Sequence, residues 1–198
     1  FSISGDFEIT LTYEILTADA PRDGLGVGVK LWGKIESGDE QAMTLAHLIR
    51  PKRAADQYLA MCAQTDGAGK RVVKEKSLAA KSRRGRLRLT REGTDLRFQV
   101  AEGETADFQV VQQTSVGRGD VTALRISANT SDSPSGLNVR LADLRIRADR
   151  LPSVVARPNE LSHAMLIWLL AGSTLGATAL AVWRCGLWPR RRRQRAFR

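Results

Sequence analysis

Near the start of the chain Phe7, Ile9, Leu11, Tyr13 and Ile15 alternate with Glu8, Thr10, Thr12 and Glu14. A two-residue period rich in aromatic and β-branched types predicts a strand with one face on a core and one in water. Residues 26–35 repeat the pattern, with Val27, Val29 and Leu31 on one face and Lys30 and Trp32 on the other. Residues 42–49 form an apolar run that ends before Pro51, which cannot donate to a ladder. Further short runs at 58–64, 71–76, 108–111 and 121–128 read as strands. Residues 86–100 read as a hairpin that turns at Glu92-Gly93-Thr94-Asp95. The basic, small-residue segment 77–85 reads as an exposed loop. In the last strand, 137–146, Leu137, Val139 and Leu141 take one parity and Leu144 and Ile146 the other. That phase slip near Ala142 and Asp143 predicts a β-bulge. Strands spaced by roughly 8–12 residues, with turn signals between them, predict an all-β antiparallel sandwich or barrel over 1–150.

The pattern changes after residue 150. Residues 151–163 hold Pro152 and Pro158 with no periodicity and read as a linker. Residues 164–183, AMLIWLLAGSTLGATALAVW, carry no charge. As a helix they would reach about 30 Å, the thickness of a bilayer's hydrocarbon core, so they are expected to be a C-terminal transmembrane helix. Trp168, Trp183 and Trp188 fall near its ends, where interfacial aromatics collect. Arg184, Arg190, Arg191, Arg192, Arg193 and Arg195 follow it. The positive-inside rule then puts a basic tail, 184–198, in the cytoplasm and the β domain outside, as a single-pass membrane protein whose partner is membrane lipid. Gly172 and Gly176 form a GxxxG that could pack a second helix. An apolar helix followed by arginines also resembles bacterial sorting tails that are cleaved after export.

Charge and cysteine content adjust this picture. The formal net charge is +10, but seven arginines and no acid lie beyond residue 160. What remains is 24 basic against 21 acidic residues, so the charge belongs mostly to the tail and gives no support to nucleic-acid binding. Cys62 and Cys185 would stand on opposite sides of a membrane, so no disulfide framework is expected. Residue 1 is Phe, which reads as the start of a processed product or of the C-terminal piece of a longer protein.

Three stretches carry a family resemblance. Gly5-Asp-Phe-Glu-Ile-Thr10, Arg86-Leu-Arg-Leu-Thr-Arg-Glu-Gly-Thr-Asp95 and Gly136-Leu-Asn-Val-Arg-Leu-Ala-Asp-Leu-Arg-Ile146 resemble the early strand, central hairpin and closing strand of concanavalin A-like (laminin G-like) jelly-roll domains. The resemblance spans about residues 1–150 and is similar to that of uncharacterised bacterial membrane-anchored domains. It implies that first and last strands pair, and suggests that the partner of 137–146 precedes Phe1. Members of this fold include lectins, carbohydrate-binding modules, glycoside hydrolases and adhesion modules. A hydrolase needs two carboxylates across the scissile bond, and Glu8 and Glu14 among threonines read instead as a solvated face.

The remaining chemistry is sparse. His47 is the only histidine of the β domain, so no histidine-based zinc site is expected. Asp66-Gly-Ala-Gly69 and Gly117-Arg-Gly-Asp120 offer too few oxygens for calcium and read as turns. No cofactor is expected. Trp32 and Tyr58 are the aromatics that a sugar-binding face would use, Trp32 by its position on the polar parity of its strand. A basic set, Lys70, Arg71, Lys74, Lys76, Lys81, Arg83, Arg84, Arg86 and Arg88, reads as a solvated surface, with an anionic polymer or lipid head groups as the other use. The expected function is a membrane-anchored, extracytoplasmic, non-catalytic binding or cell-envelope module with a glycan or envelope polymer as ligand. A glycoside hydrolase-like enzyme and a C-terminal structural module of a larger surface protein are the alternatives.

Overall fold

The computed structural model describes residues 2–37, 39–51, 56–65, 68–130 and 135–152. Ten strands are present: β1 (Ser4–Ala18), β2 (Val27–Ser37), β3 (Asp39–Ile49), β4 (Gln57–Thr65), β5 (Arg71–Ala79), β6 (Arg84–Glu92), β7 (Asp95–Glu102), β8 (Gln109–Ser115), β9 (Asp120–Asn129) and β10 (Leu137–Arg150). They form two antiparallel five-stranded sheets, ordered β10-β1-β6-β7-β8 and β5-β4-β3-β2-β9. The chain therefore passes from the first sheet to the second after β1, returns at β6, crosses again at β9 and closes the first sheet with β10. This is the expected β-sandwich.

The alternation seen in sequence becomes the two faces of each sheet. Phe7, Ile9, Leu11, Tyr13 and Ile15 of β1 point inward with Leu87, Leu89, Leu96 and Phe98. Val27, Val29, Leu31, Met43, Leu45, Ala60 and Cys62 meet them from the second sheet. Cys62 is buried and free, and burial pushes its thiol pKa up. The β6–β7 hairpin turns where expected, with Gly93 in the left-handed region at φ 61°. The bulge is also found: Thr12 pairs with Asp143 and Tyr13 with Leu141, leaving Ala142 extra on β10.

Two expectations are corrected. β10 pairs with β1 from Ser4–Arg150 to Ala18–Leu137, so it has a partner within the chain. Segment 77–85 is not one loop, because β5 runs through Ala79 and β6 starts at Arg84. β5 is an edge strand exposed along nearly all its length, Val72 and Val73 included, so it carries no amphipathic signal. Its Lys74, Glu75 and Lys76 are the charged side chains that protect an edge from further pairing.

One end of the sandwich is fastened by a buried arginine. Arg91, 1% exposed, donates to the carbonyls of Gly117 and Gly119 at 3.4 and 2.5 Å and to that of Gly5. Burial works against its charge, and Asp6, Asp120 and Asp149 oppose that effect. Asp6 Oδ1 accepts from Gly93 N at 2.6 Å, and Asp149 Oδ2 accepts from Asp6 N at 2.8 Å. A Cβ on Gly5, at φ 77°, would strike the Asp149 carboxylate at 2.3 Å, so this position requires glycine. The Gly117–Asp120 turn is thus filled from within, since the Asp120 carboxylate also accepts from Ser2 and Ser4 at 2.7 Å each. Those two hydroxyls hold the Asp120 carboxyl below its usual pKa.

No helix among the described residues is long and apolar enough to cross a membrane. The expected transmembrane helix (164–183), with Trp168, Trp183, Trp188, Gly172, Gly176 and the tail arginines, lies outside the described residues.

Candidate functional site

The outer face of the second sheet is set by strand parity. Trp32 on β2 stands opposite Thr44 on β3 and Arg125 on β9. Lys30 stands opposite Ala46 and Ser127, and Lys34 opposite Ala42 and Ala123. Thr44 is in turn opposite Met61, and Ala46 opposite Leu59, on β4. Trp32 is therefore a half-buried side chain surrounded mainly by small ones, and it lies outside the core. The Arg125 guanidinium sits 5.5 Å from the ring centroid. A cavity of about 220 Å³ beside the ring is lined by Ala42, Ala63, Gln64, Thr65 and Arg71. Ala46, Leu48 and Leu59 give this face a closely packed apolar floor, with Met61 against it.

The charges here are mostly unanswered. Arg50 faces Glu75 and Lys34 faces Glu36, each at 3.6 Å. Among the described residues no carboxylate pairs with Lys30, Arg71 or Arg125. An exposed cation without a partner is ready to meet an anion, because its own charge is not compensated locally.

The first sheet's outer face differs. Arg88 and Arg147 reach Glu8 at 3.4 and 3.9 Å, Arg140 reaches Glu14 at 3.1 Å and Arg145 reaches Asp143 at 2.7 Å. Glu8 and Glu14 are thus arginine partners, in keeping with a solvated face and not with a catalytic pair. Arg86 and Arg88 lie over the Phe108 ring, at 5.0 and 3.6 Å from its centroid. The basic set read from the sequence is accordingly divided. Arg71, Lys74 and Lys76 belong to β5 of the second sheet, and Arg84, Arg86 and Arg88 to β6 of the first. Arg83 is held by Asp56 at 3.2 Å.

Tyr58 is the corrected site residue. It is fully buried on the inner face of β4, on the opposite side of the sheet from Trp32. The two aromatics are not brought together. Leu59 and Met61 made both faces of β4 apolar in sequence, so its parity was not legible. Tyr58 packs at 4.9 Å against the ring of His47, whose Nδ1 shares a 2.7 Å hydrogen bond with the Tyr13 hydroxyl. His47 Nε2 faces Asp56 at 3.8 Å, and this histidine, with Arg83 beside it, lowers the Asp56 pKa against the effect of burial. The apolar run 42–49 puts His47 within a strand, but sequence reasoning missed this network, because its members lie on β1, β3 and β4 and the segment before β4.

The Tyr58 hydroxyl feels Tyr13 nearby but completes no hydrogen bond, and burial pushes its pKa up to about 12. Tyr58 also lines a crevice of about 610 Å³ between the β4–β5 and β7–β8 sides of the sandwich, with Leu78, Lys81, Val100, Glu102 and Asp107. No group of three or more metal-ligating side chains occurs among the described residues.

Comparison with known proteins adds a family. The family described as "Protein of unknown function (DUF1583) C domain" matches residues 1–166. No curated protein matches the sequence. A functionally unknown protein from Saccharomyces cerevisiae is similar in structure at 15% identity and a TM-score of 0.49, over 76% of this chain and 74% of its own. The CBM2 module of the evolved Dit of Lactobacillus casei BL23 phage J-1 is 14% identical, with a TM-score of 0.48, over 72% and 61% of the two chains. An alginate lyase from Klebsiella pneumoniae is 12% identical, with a TM-score of 0.45, over 72% and 60%. The chain thus spans about three-fifths of the length of these last two.

Proposed function

The chain belongs to the DUF1583 C domain family, and we propose that it is a non-catalytic binding module whose second-sheet outer face takes an anionic glycan or cell-envelope polymer. The observation that carries this is Trp32 with Lys30, Arg71 and Arg125 around it and, among the described residues, no carboxylate paired to them. An indole presents a large, rigid apolar plane on which a sugar ring can lie. Guanidinium and ammonium groups beside it supply charge and hydrogen bonds to carboxylate or sulfate substituents. Small neighbours such as Ala42, Thr44 and Ala123 leave that plane approachable. The uncharged residues 164–183 and the arginines after them support a module held at a membrane with its β domain outside.

The test is retention of the full chain, in detergent micelles, on immobilised polygalacturonate, heparin and a neutral dextran. Retention on the anionic polymers is expected, falling with added salt because Arg71 and Arg125 are exposed. Trp32→Ala should weaken it at least ~tenfold. Equal retention on dextran, or no change in Trp32→Ala and Arg125→Ala, would refute the reading. Membrane anchoring is tested separately, by whether deletion of 164–183 moves the chain from the membrane fraction to the soluble one.

A further inference from the structure

The Trp32 face has a direction as well as a charge. Trp32, Thr44, Met61 and Glu75 stand opposite one another across β2, β3, β4 and β5. Two residues along, Lys34, Ala42, Ala63 and Val73 form the next row, and Thr65 and Arg71 lie beyond it. The short side chains of Ala42 and Ala63 leave their row low and floor the 220 Å³ cavity, which Trp32 borders at one end and Thr65 and Arg71 at the other. Arg71 is three strands and four residues from Trp32. At ~4.8 Å per strand and ~3.4 Å per residue, that is about 20 Å between backbones. Arg125 of β9 holds its guanidinium over the indole ring, whereas the lining of the cavity comes from β2 to β5, so the two flank the ring from different sides. Arg125, Trp32, the alanine floor and Arg71 therefore follow one another along a diagonal of the sheet.

We propose that this diagonal is a track for the interior of a linear acidic glycan, an inference that rests on reading the Trp32 face as an anionic-glycan site. One ring lies against Trp32 over Ala42 and Ala63, and acid groups on separate units meet Arg71 and Arg125. Three observations select a chain over a single acidic sugar. The two guanidinium groups belong to strands four apart in the sheet, so one acid group on one ring cannot answer both. The cavity is smaller than the ~300–1,000 Å³ of pockets that enclose a whole small molecule, so it takes one part of a ligand. The acids of this face are held or lie off the diagonal. Glu75 faces Arg50 and Glu36 faces Lys34, each at 3.6 Å, and Glu40 stands opposite Glu36 at the β2–β3 end. Those last two repel an anion from that end and leave the β4–β5 end, with Arg71, as the way out of the cavity. Lys30, in the row on the other side of Trp32, adds charge at the Arg125 end. Once one unit is seated, the second acid group meets its arginine at a high effective concentration.

The experiment is calorimetric titration of the full chain in micelles with galacturonate, its dimer, tetramer and octamer, a heparin octasaccharide and a neutral maltose-type octasaccharide. At least one acidic octamer should bind at least ~tenfold more tightly than monomeric galacturonate and than the neutral octasaccharide. Either acidic octamer serves the proposal, and the tighter one identifies the acid group as carboxylate or sulfate. Arg71→Gln and Arg125→Gln, both exposed changes, should each weaken octamer binding about fivefold or more, and each should flatten the dependence on length. Arg145→Gln removes the same charge from the outer face of the first sheet and should bind as the unaltered chain does. Three results would overturn the track: octamers that bind no more tightly than the monomer, an Arg71→Gln protein with unchanged octamer affinity, or an equal loss in Arg145→Gln, which would mean that net charge alone is read. In each case a loss in Trp32→Ala leaves the reading of the outer face standing, whereas an unchanged Trp32→Ala protein removes both.

Discussion

On the outer face of the first sheet Glu8 is shared by Arg88 and Arg147, Glu14 is held by Arg140 and Asp143 by Arg145. On the outer face of the second sheet Lys30, Arg71 and Arg125 meet no carboxylate among the described residues, and a half-buried tryptophan lies among them. Both faces are basic and both are built by the same two-residue alternation. They differ in whether the cations are answered at home. Arg88, Arg147 and Arg140, answered from β1, bind strand to strand across the β1–β6 and β1–β10 pairs. Cations without a carboxylate partner contribute little to the fold and remain available to a ligand.

This contrast can be broken in four ways. The largest effect is expected at Arg91, the buried extreme of the first sheet's arginines. Arg91→Met leaves the carbonyls of Gly5, Gly117 and Gly119 without their donor. A loss of about 3–5 kcal/mol in denaturant-measured stability is expected, and a loss under ~1 kcal/mol would show that the clasp is not structural. Second, Ala123→Glu places an acid next to Arg125 and opposite Lys34, making the second face resemble the first. Retention on heparin should fall about tenfold, equivalent to ~1.4 kcal/mol, with the denaturation midpoint unmoved.

Third, Glu8→Gln frees Arg88 and Arg147 and should cost about 0.2–1 kcal/mol, as expected for partly exposed pairs. It should also give the first face a weak affinity for heparin that survives Trp32→Ala. The smallest effect concerns Asp56, whose folded pKa is lowered by His47 and Arg83. A lowered folded pKa contributes stability above the unfolded value of about 3.9, and that stability is lost as pH falls through the folded pKa. Urea unfolding followed from pH 6 to pH 2 should show this loss below about pH 4, and Asp56→Asn should flatten the curve there. An unchanged curve would remove the His47–Asp56 link.

Much of this was legible before any coordinates. The strand of Phe7 to Ile15, the 86–100 hairpin and the bulge at Ala142 all follow from apolar periodicity, which records which side chains face the core. Trp32 was legible for the same reason, since it shares parity with Lys30 and Lys34. Tyr58 was not, because β4 is apolar on both faces. β5 was partly lost to a loop, because an edge strand exposed on both sides leaves no alternation to read. The Asp120 turn was weighed as a metal site, and its oxygens prove to be taken by Arg91, Ser2 and Ser4.

Taken alone, the sequence determines an all-β domain, the faces of its alternating strands, the outward parity of Trp32 and the uncharged stretch at 164–183. These depend on neighbours one or two residues apart, or on local composition. Tertiary structure alone decided that β10 pairs with β1, that arginines of β6 and β10 are answered by β1, and that those near Trp32 meet no carboxylate among the described residues. It also decided that Tyr13, His47 and Tyr58 meet in the core and that Tyr58 borders the crevice. Each of these joins strands remote in sequence. The energy that selects them comes from burying two sheets against each other, and local periodicity holds no record of which strand will lie opposite.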